Sequence, residues 1–237
     1  MTDTAKTQST TPRQASSIQP ERRNQTNLTT IGPRAMKSVA TRIDTRCLLI
    51  EAGAKVMLSK GYNNTGIQEI VKLVGVPKGS FYHYFESKEA FALAVIEKFD
   101  QAHRSKLTKS LGDKSRSSID RLTHYFQAGA DELTNSPCRG GCLIGTLSQE
   151  MSGQSELLRE KLALVMDGWK AEFAACLKEG QEKGEIRRDL CPNQLAELVL
   201  SGFEGAVLRS KATNSPAPLQ SFQGLMPRLL TESSVGA

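Results

Sequence analysis

Residues 65–85 constrain the fold more than any other stretch of the chain. Apolar side chains at helical spacing predict a short helix there, and Thr65 and Gln68 have the spacing of a capping box at its start. Gly75 is expected to end this helix in a tight turn, and Pro77 suits the first position of a second short helix. Two short helices joined by a turn that contains glycine have helix-turn-helix geometry. The sequence therefore predicts this motif over residues 66–85.

The second of these short helices carries side chains suited to contacting nucleic acid. It combines small residues that allow close approach, a hydroxyl, a cation and two rings with polar groups: Lys78, Gly79, Ser80, Tyr82 and His83. Groups of these kinds bind phosphates and the edges of bases. Phe81, Tyr84 and Phe85 are predicted to form the core of the same domain, whose first helix is expected over residues 43–60 and stops at Gly61.

Residues 1–42 differ in composition from the rest of the chain. They contain seven Lys or Arg residues, two Asp or Glu residues and almost no large apolar side chains. Such a segment cannot bury enough apolar surface to order itself, which predicts a disordered basic tail. The alternative is a basic arm that contacts phosphates or a minor groove. No stretch has the apolar character of a secretory signal or a membrane span, which favours a cytoplasmic protein.

The remaining chain predicts further helices and no period-two strand pattern. Ser87 is expected to cap a helix over residues 88–107, and a polar loop follows at residues 110–118. Five more helices are predicted over residues 119–133, 142–151, 155–183, 192–212 and 219–230. We therefore expect an all-α fold, with a DNA-binding domain at residues 43–103 and a second helical domain at residues 104–237.

Small residues recur on the helix that follows Pro192. They are Ser201, Gly202, Gly205 and Ala206. Small side chains let two helix backbones approach closely, either within the chain or in a symmetric dimer with the last helix. A two-fold dimer would suit two DNA half-sites.

The chain has five cysteines, an odd number that argues for free thiols in a reducing compartment. Cys138 and Cys142 flank Arg139, and Cys142 is predicted to open a helix. A helix N-terminus and a guanidinium both favour a thiolate, so we expect a lowered pKa at Cys142. Three roles stay open for it: a small buried side chain, a sensor attacked by an electrophile or oxidant, or a metal ligand with Cys138 and His124.

The helix-turn-helix region resembles the TetR family of bacterial transcriptional regulators. The matching positions are Gly61, Tyr62, Thr65, Ile70, residues 75–85 and residues 87–89. The resemblance implies an all-helical homodimer that binds a double-stranded DNA operator through its first domain and a small effector through its second. It also implies that residues 78–80, Tyr82 and His83 face DNA, that Thr65 and Lys88 lie near phosphates, and that the tilt of the fourth helix sets the spacing of the recognition helices.

Three further stretches resemble a subgroup of this family that responds to acrylate or to electrophiles such as N-ethylmaleimide and hypochlorite. They are residues 141–145, 147–151 and 203–211. The resemblance assigns a redox-sensitive role to Cys142, and Cys138 is not part of the shared pattern. Arg139 is a possible partner for a small acid, and Trp169 could line an effector pocket, although a position in the core is the favoured reading.

An enzymatic role has little support in the sequence. The chain has three histidines, and no phosphate-binding loop, zinc-protease motif or nucleophile elbow accompanies them. A thiol enzyme with a Cys142–His124 dyad, or a ligand-binding protein without a DNA role, is the alternative to a regulator. No cofactor or metal is expected.

Overall fold

The structure is a computed structural model that describes residues 33–135 and 141–231, with side chains described from Thr45 onward and not at residues 134 and 135. These residues form nine helices and no strand, which confirms the all-α prediction. The helices are α1 (Pro33–Lys60), α2 (Ile67–Val74), α3 (Lys78–Tyr84), α4 (Lys88–Leu111), α5 (Ser118–Asn135), α6 (Leu143–Met151), α7 (Glu156–Glu182), α8 (Pro192–Thr213) and α9 (Ala217–Thr231).

The first three helices and the start of α4 enclose a small aromatic core. Phe81 and Phe91 are fully buried and Phe85 nearly so. Their ring centroids lie 4.8–5.4 Å apart in tilted or edge-on pairs, which is favourable aromatic geometry. Phe81 and Phe85 are therefore core residues, as predicted, and Tyr84 is half-buried against them.

Two helix starts near this domain differ from the predictions. Helix α1 begins at Pro33, before the predicted start at residue 43, so part of the expected disordered tail is helical. The N-cap of α2 is Gly66, and no side chain caps this helix. The capping box of Thr65 and Gln68 is therefore wrong, because the Thr65 hydroxyl donates to the Gly61 carbonyl at 2.6 Å instead. Residues 1–32, and the predictions made for them, lie outside the described residues.

The cap of α4 follows the prediction. The Ala90 amide donates to Ser87 Oγ at 3.0 Å, which satisfies one of the free amides of the first helical turn.

The second domain packs α5, α7, α8 and α9 around a second apolar core. Trp169, Phe173 and Phe126 are each 1% exposed, and the Phe126 and Phe173 rings stack with centroids 5.5 Å apart. Each of the five helices predicted after residue 118 is present, with its bounds displaced by no more than two residues. Within the described ranges, no helix is long and apolar enough to span a membrane.

Arg121 joins α4, α5 and α7 from inside the second domain. Its guanidinium is fully buried and donates to the Leu111 carbonyl at 2.6 Å and to Ser118 Oγ at 2.7 Å. It also forms an ion pair with Glu179 at 3.0 Å. Hydrogen bonds from Lys114, and from other cations including Arg121, lower the pKa of Glu179 to about 2. The end of α4 is therefore fixed to α5 and α7 by charged groups as well as by apolar contacts.

Candidate DNA-binding surface and effector cavity

The turn between α2 and α3 is set by Gly75, which has a φ of 75° in the left-handed region. Its amide and that of Val76 close the end of α2 by donating to Lys72 and Val71 carbonyls. Pro77 is the N-cap of α3, with φ −62° and ψ 151°, and not its first helical residue as predicted. The helix therefore starts one residue later than predicted. This geometry places α3 as a separate short helix directly after the turn.

Helix α3 brings together the five residues predicted to face DNA. Lys78, Gly79, Tyr82 and His83 are exposed, and Ser80 is half-buried. Tyr82 leaves 51% of its surface accessible although it is a large ring. An exposed aromatic ring beside a cation and an imidazole is an arrangement that can contact base edges and phosphates together.

Thr65 and Lys88 occupy different environments from those five residues. Thr65 is only 1% exposed, and its hydroxyl is used by the Gly61 carbonyl, so its side chain is structural here. Lys88 Nζ donates to the Asn63 carbonyl at 3.3 Å and lies 4.4 Å from the centre of the Tyr62 ring. Burial lowers the pKa of Lys88, and the nearby Glu150 carboxylate opposes that effect. The α1–α2 loop therefore fixes the position of the Lys88 ammonium.

Glu150, in the last turn of α6, contacts the same loop. Its carboxylate accepts hydrogen bonds from the Tyr62 amide at 2.6 Å and from the Asn63 amide at 2.8 Å. Gly61 precedes these amides with a φ of 78°, and a Cβ atom there would lie 2.3 Å from Glu150 Oε2. No role for Glu150 is visible in the sequence, because no local pattern relates it to a loop 87 residues or more away.

A cavity of about 630 Å³ lies in the second domain between α4, α5 and α8. A volume of this size is typical of small-molecule sites. The inner wall is formed by Phe99, His103, Tyr125, Gly129, Cys142, Phe203, Glu204 and Val207. Leu58 of α1 also lines the cavity, and Lys106, Lys109, Arg116 and Arg121 contribute cationic groups.

Trp169 does not line this cavity, so the possibility that it contacts an effector directly is wrong for this structure. It is buried behind the wall, where its indole N–H donates to Asp100 at 2.7 Å. Its ring stacks on His103 with a centroid separation of 3.8 Å. Trp169 therefore supports a residue of the wall.

His103 and Tyr125 form a neutral polar pair within the wall. The Tyr125 hydroxyl lies 2.9 Å from His103 Nε2. Burial lowers the pKa of His103 to about 4 and raises the pKa of Tyr125. Both groups are uncharged near pH 7, so they can exchange hydrogen bonds with a ligand without presenting a charge.

Cys142 lies where the cavity meets α6. It is the N-cap of this helix, and the Gly145 amide lies 3.4 Å from its Sγ. The Glu204 carboxyl on α8 lies near the same helix start, and its charge acts on the thiol. A Cβ atom at position 145 would lie 2.5 Å from Glu204 Oε2, so glycine allows this close approach. Cys142 thereby connects the cavity wall to the start of α6.

The predicted lowering of the Cys142 pKa is wrong. Burial and then the Glu204 charge raise the pKa of this thiol well above its ordinary value. The Gly145 and Ile144 amides act in the opposite direction, as expected at a helix start, but their effect is smaller. Burial raises the pKa of Glu204 too.

Two other residues predicted near this site, Cys138 and Arg139, lie outside the described residues. His124 lines the cavity from an exposed position on α5. Among the residues with described side chains, no three His, Cys, Asp or Glu groups gather where they could hold a metal ion.

The small residues of α8 divide between two faces. Gly202 and Ala206 pack within the chain: a Cβ atom at Gly202 would lie 3.0 Å from the Phe222 ring of α9, and Ala206 is 8% exposed. Ser201 and Gly205 are exposed. They share the outer surface of α8 and α9 with four exposed leucines: Leu198, Leu208, Leu225 and Leu229.

Family models match both domains. Residues 49–95 match the amino-terminal model of "Bacterial regulatory proteins, tetR family", and residues 118–226 match "Tetracyclin repressor-like, C-terminal domain". The chain therefore belongs to the TetR family, and it is a DNA-binding transcriptional regulator and not an enzyme.

Curated relatives agree with this assignment. The chain is 39% identical to the transcriptional repressor DhaR of Mycobacterium sp. strain GP1, over 76% of this chain and 89% of DhaR. It is also 39% identical to the transcriptional regulator AcuR of Cereibacter sphaeroides, over 73% of this chain and 80% of AcuR. A crystal structure of the reduced form of Escherichia coli NemR matches with a TM-score of 0.75 and 32% identity, covering 81% of this chain and all of that one.

Proposed function

We propose that this regulator is a repressor that binds a palindromic operator as a homodimer and releases it when a small molecule occupies or modifies the cavity at Cys142. The observation that carries the proposal is the position of Cys142, which lines the cavity and caps α6. A change at this thiol alters the start of a helix whose other end contacts the DNA-binding domain. Such a role places the protein in the cytoplasm with the chromosome.

For the DNA contacts, we assign Lys78, Gly79, Ser80, Tyr82 and His83 on α3, together with Lys88. The exposure of four of them, Lys78, Gly79, Tyr82 and His83, and the chemistry of the whole set support this assignment. The experiment measures binding to an operator selected from random DNA. A double variant, Tyr82→Ala with His83→Ala, should lose at least tenfold in affinity, which corresponds to about 1.4 kcal/mol.

The matched control for that double variant is Leu164→Ala, an exposed substitution on α7 in the other domain. Unchanged operator affinity in a folded double variant would reject the assignment of α3. Lys78→Ala should also reduce the log–log slope of affinity against salt by about 0.9 for each phosphate that the protein ceases to neutralise.

For the dimer, we assign the outer face of α8 and α9. Four leucines that are about half exposed in a single chain, next to the small residues Ser201 and Gly205, support a buried contact between two copies.

For the effector, two modes act at the same cavity. An electrophile or oxidant would modify Cys142 and place new atoms in the cavity. A non-covalent ligand, such as a small acrylate-like acid, would bind beside an unreacted thiol. The raised pKa of Cys142 favours the second mode near neutral pH, because only the thiolate is strongly nucleophilic.

Substitution of the cysteines separates these modes. If the thiol reacts, Cys142→Ser should abolish release from DNA by N-ethylmaleimide or hypochlorite, and Cys138→Ser should not. Release that persists in Cys142→Ser but disappears in Cys138→Ser assigns the chemistry to Cys138. Release that persists in both variants would reject covalent sensing at these thiols.

A further inference from the structure

Helix α6 is a short rod with one end in the cavity and the other end at the DNA-binding domain. Cys142 caps its first turn, and Glu150 lies in its last turn. A helix of nine residues is too short to absorb much displacement by bending, so its two ends move together. A displacement at Cys142 can therefore affect the DNA-binding domain through the contacts that Glu150 makes there.

The second end holds two backbone amides by charge-assisted hydrogen bonds. Glu150 accepts from the amides of Tyr62 and Asn63, at 2.6 and 2.8 Å. Hydrogen bonds to an ionised group are roughly twice as strong as neutral ones. The side chain of Asn63 adds a weaker contact by donating to Gln154 Oε1 at 3.2 Å. These bonds fix the loop between α1 and α2 to the end of α6.

The same loop holds a cation of the DNA-binding domain. The Lys88 ammonium donates to the carbonyl of Asn63 and lies over the ring of Tyr62. Glu150 binds the backbone amides of these same two residues, Tyr62 and Asn63. A shift of the Glu150 carboxylate therefore displaces the immediate supports of Lys88.

We propose that Glu150 is the positioning residue that couples the cavity to DNA binding, by holding residues 62 and 63 and, through them, the Lys88 ammonium. This inference rests on the proposed function, in which a change at Cys142 moves the start of α6. Glu150 is not among the residues that line the cavity, and it lies on α6, away from the recognition helix α3. Replacing it should uncouple the two sites while leaving the cavity intact.

A second contact between the domains provides a matched comparison. Ser155, at the N-cap of α7, donates to the Glu89 carboxylate on α4, and among the described residues its hydrogen bonds do not reach the loop. Glu89→Gln removes the charge from the acceptor of the Ser155 hydrogen bond, just as Glu150→Gln removes the charge from the acceptor of the Tyr62 and Asn63 hydrogen bonds. Gln149→Ala changes an exposed neighbour on α6 and serves as the neutral control.

The experiment uses the full chain, an operator selected from random DNA, and N-ethylmaleimide as the probe at Cys142. For each variant we compare operator affinity before and after modification, its salt dependence, and amide hydrogen exchange at Tyr62 and Asn63. In Glu150→Gln we expect hydrogen exchange at these two amides to be at least tenfold faster than in the wild type. The log–log slope of operator affinity against salt should be smaller by about 0.9 per subunit. Modification by N-ethylmaleimide should change the operator affinity of this variant by no more than twofold. Glu89→Gln and Gln149→Ala should retain the full effect of modification.

The inference is overturned if folded Glu150→Gln keeps the wild-type response to modification, or if Glu89→Gln loses it while Glu150→Gln does not. A wild-type protein that ignores N-ethylmaleimide would refute covalent sensing at Cys142, which belongs to the proposed function. In that case the exchange rates and the salt slope decide the role of Glu150 alone, and unchanged values reject it.

Discussion

The reactivity of Cys142 should depend on Glu204, which lies on a different helix. Glu204→Gln keeps the shape of the side chain and removes the negative charge. That charge, after burial, is the largest cause of the raised pKa of Cys142. The substitution should therefore increase the thiolate fraction and the rate of alkylation near pH 7.

Coulomb's law gives an upper bound on the magnitude of this effect. Two unit charges about 4 Å apart repel by about 4 kcal/mol at an effective dielectric constant of ~20. Burial raises the pKa of Glu204 as well, which reduces the fraction of molecules in which its carboxylate is charged. We therefore expect about a third of that limit, or about tenfold in thiolate population.

The assay follows alkylation of Cys142 by N-ethylmaleimide with peptide-level mass spectrometry, because the chain has other cysteines. The rate constant for Glu204→Gln should exceed that of the wild type by about tenfold at pH 7, and the midpoint of its pH profile should move to lower pH. Glu132→Gln removes an exposed carboxylate that also lines the cavity, and it should leave the rate within twofold. Equal rates in the wild type and folded Glu204→Gln would show that burial alone controls the thiol.

Three other predictions test stability and assembly. Ser87→Ala removes the cap of α4 and should lower the free energy of unfolding by about 1 kcal/mol, measured by urea denaturation; no change would mean that solvent satisfies the amide equally well. His103 has a folded-state pKa of about 4, below its unfolded value, so it contributes stability above pH 6.5 that is lost as the pH falls toward 4. In His103→Gln, the free energy of unfolding should fall by about 3 kcal/mol less than in the wild type as the pH is lowered from 6.5 to 4. Identical pH profiles of the two proteins would contradict a pKa of His103 lowered by burial. Leu225→Glu should convert the dimer to a monomer in light scattering at micromolar concentration, whereas Leu164→Glu on α7 should not; a Leu225→Glu dimer would place the interface elsewhere.

Local signals predicted most of the helices. Gly75 and Ser87 act through their own backbone or side chain within three residues, so their roles are visible in the sequence. The pattern of apolar residues located each helix of the second domain to within two residues. Helix α1 starts earlier than predicted because the polar composition of residues 1–42 as a whole outweighed three apolar residues at helical spacing, Met36, Val39 and Ala40.

The failures at the sites have two physical causes, which are a local choice between hydrogen-bond partners and contacts between residues distant in sequence. The hydroxyl of Thr65 found a carbonyl of the preceding turn, which local spacing could not rank against a cap. The amides at the start of α6 act to lower the pKa of Cys142, but burial and Glu204 outweigh them, so the pKa is raised. Glu150 and Glu204 both act across helices that are distant in sequence, and only the folded chain brings them to their partners.

The buried Arg121 cluster has a mechanical consequence for α4. It fixes this helix at Leu111, whereas the opposite end carries Ser87 and Lys88. A helix of 24 residues is about 36 Å long, so a rotation of α4 about Leu111 would have the whole helix as its arm. A rotation of about 5° about that point would move the Lys88 end by about 3 Å, close to the rise of two residues along a helix. Arg121→Met would remove this fixed point. Both ends of α4 could then move, and a displacement of the helix would no longer be converted into a defined movement of the Lys88 end.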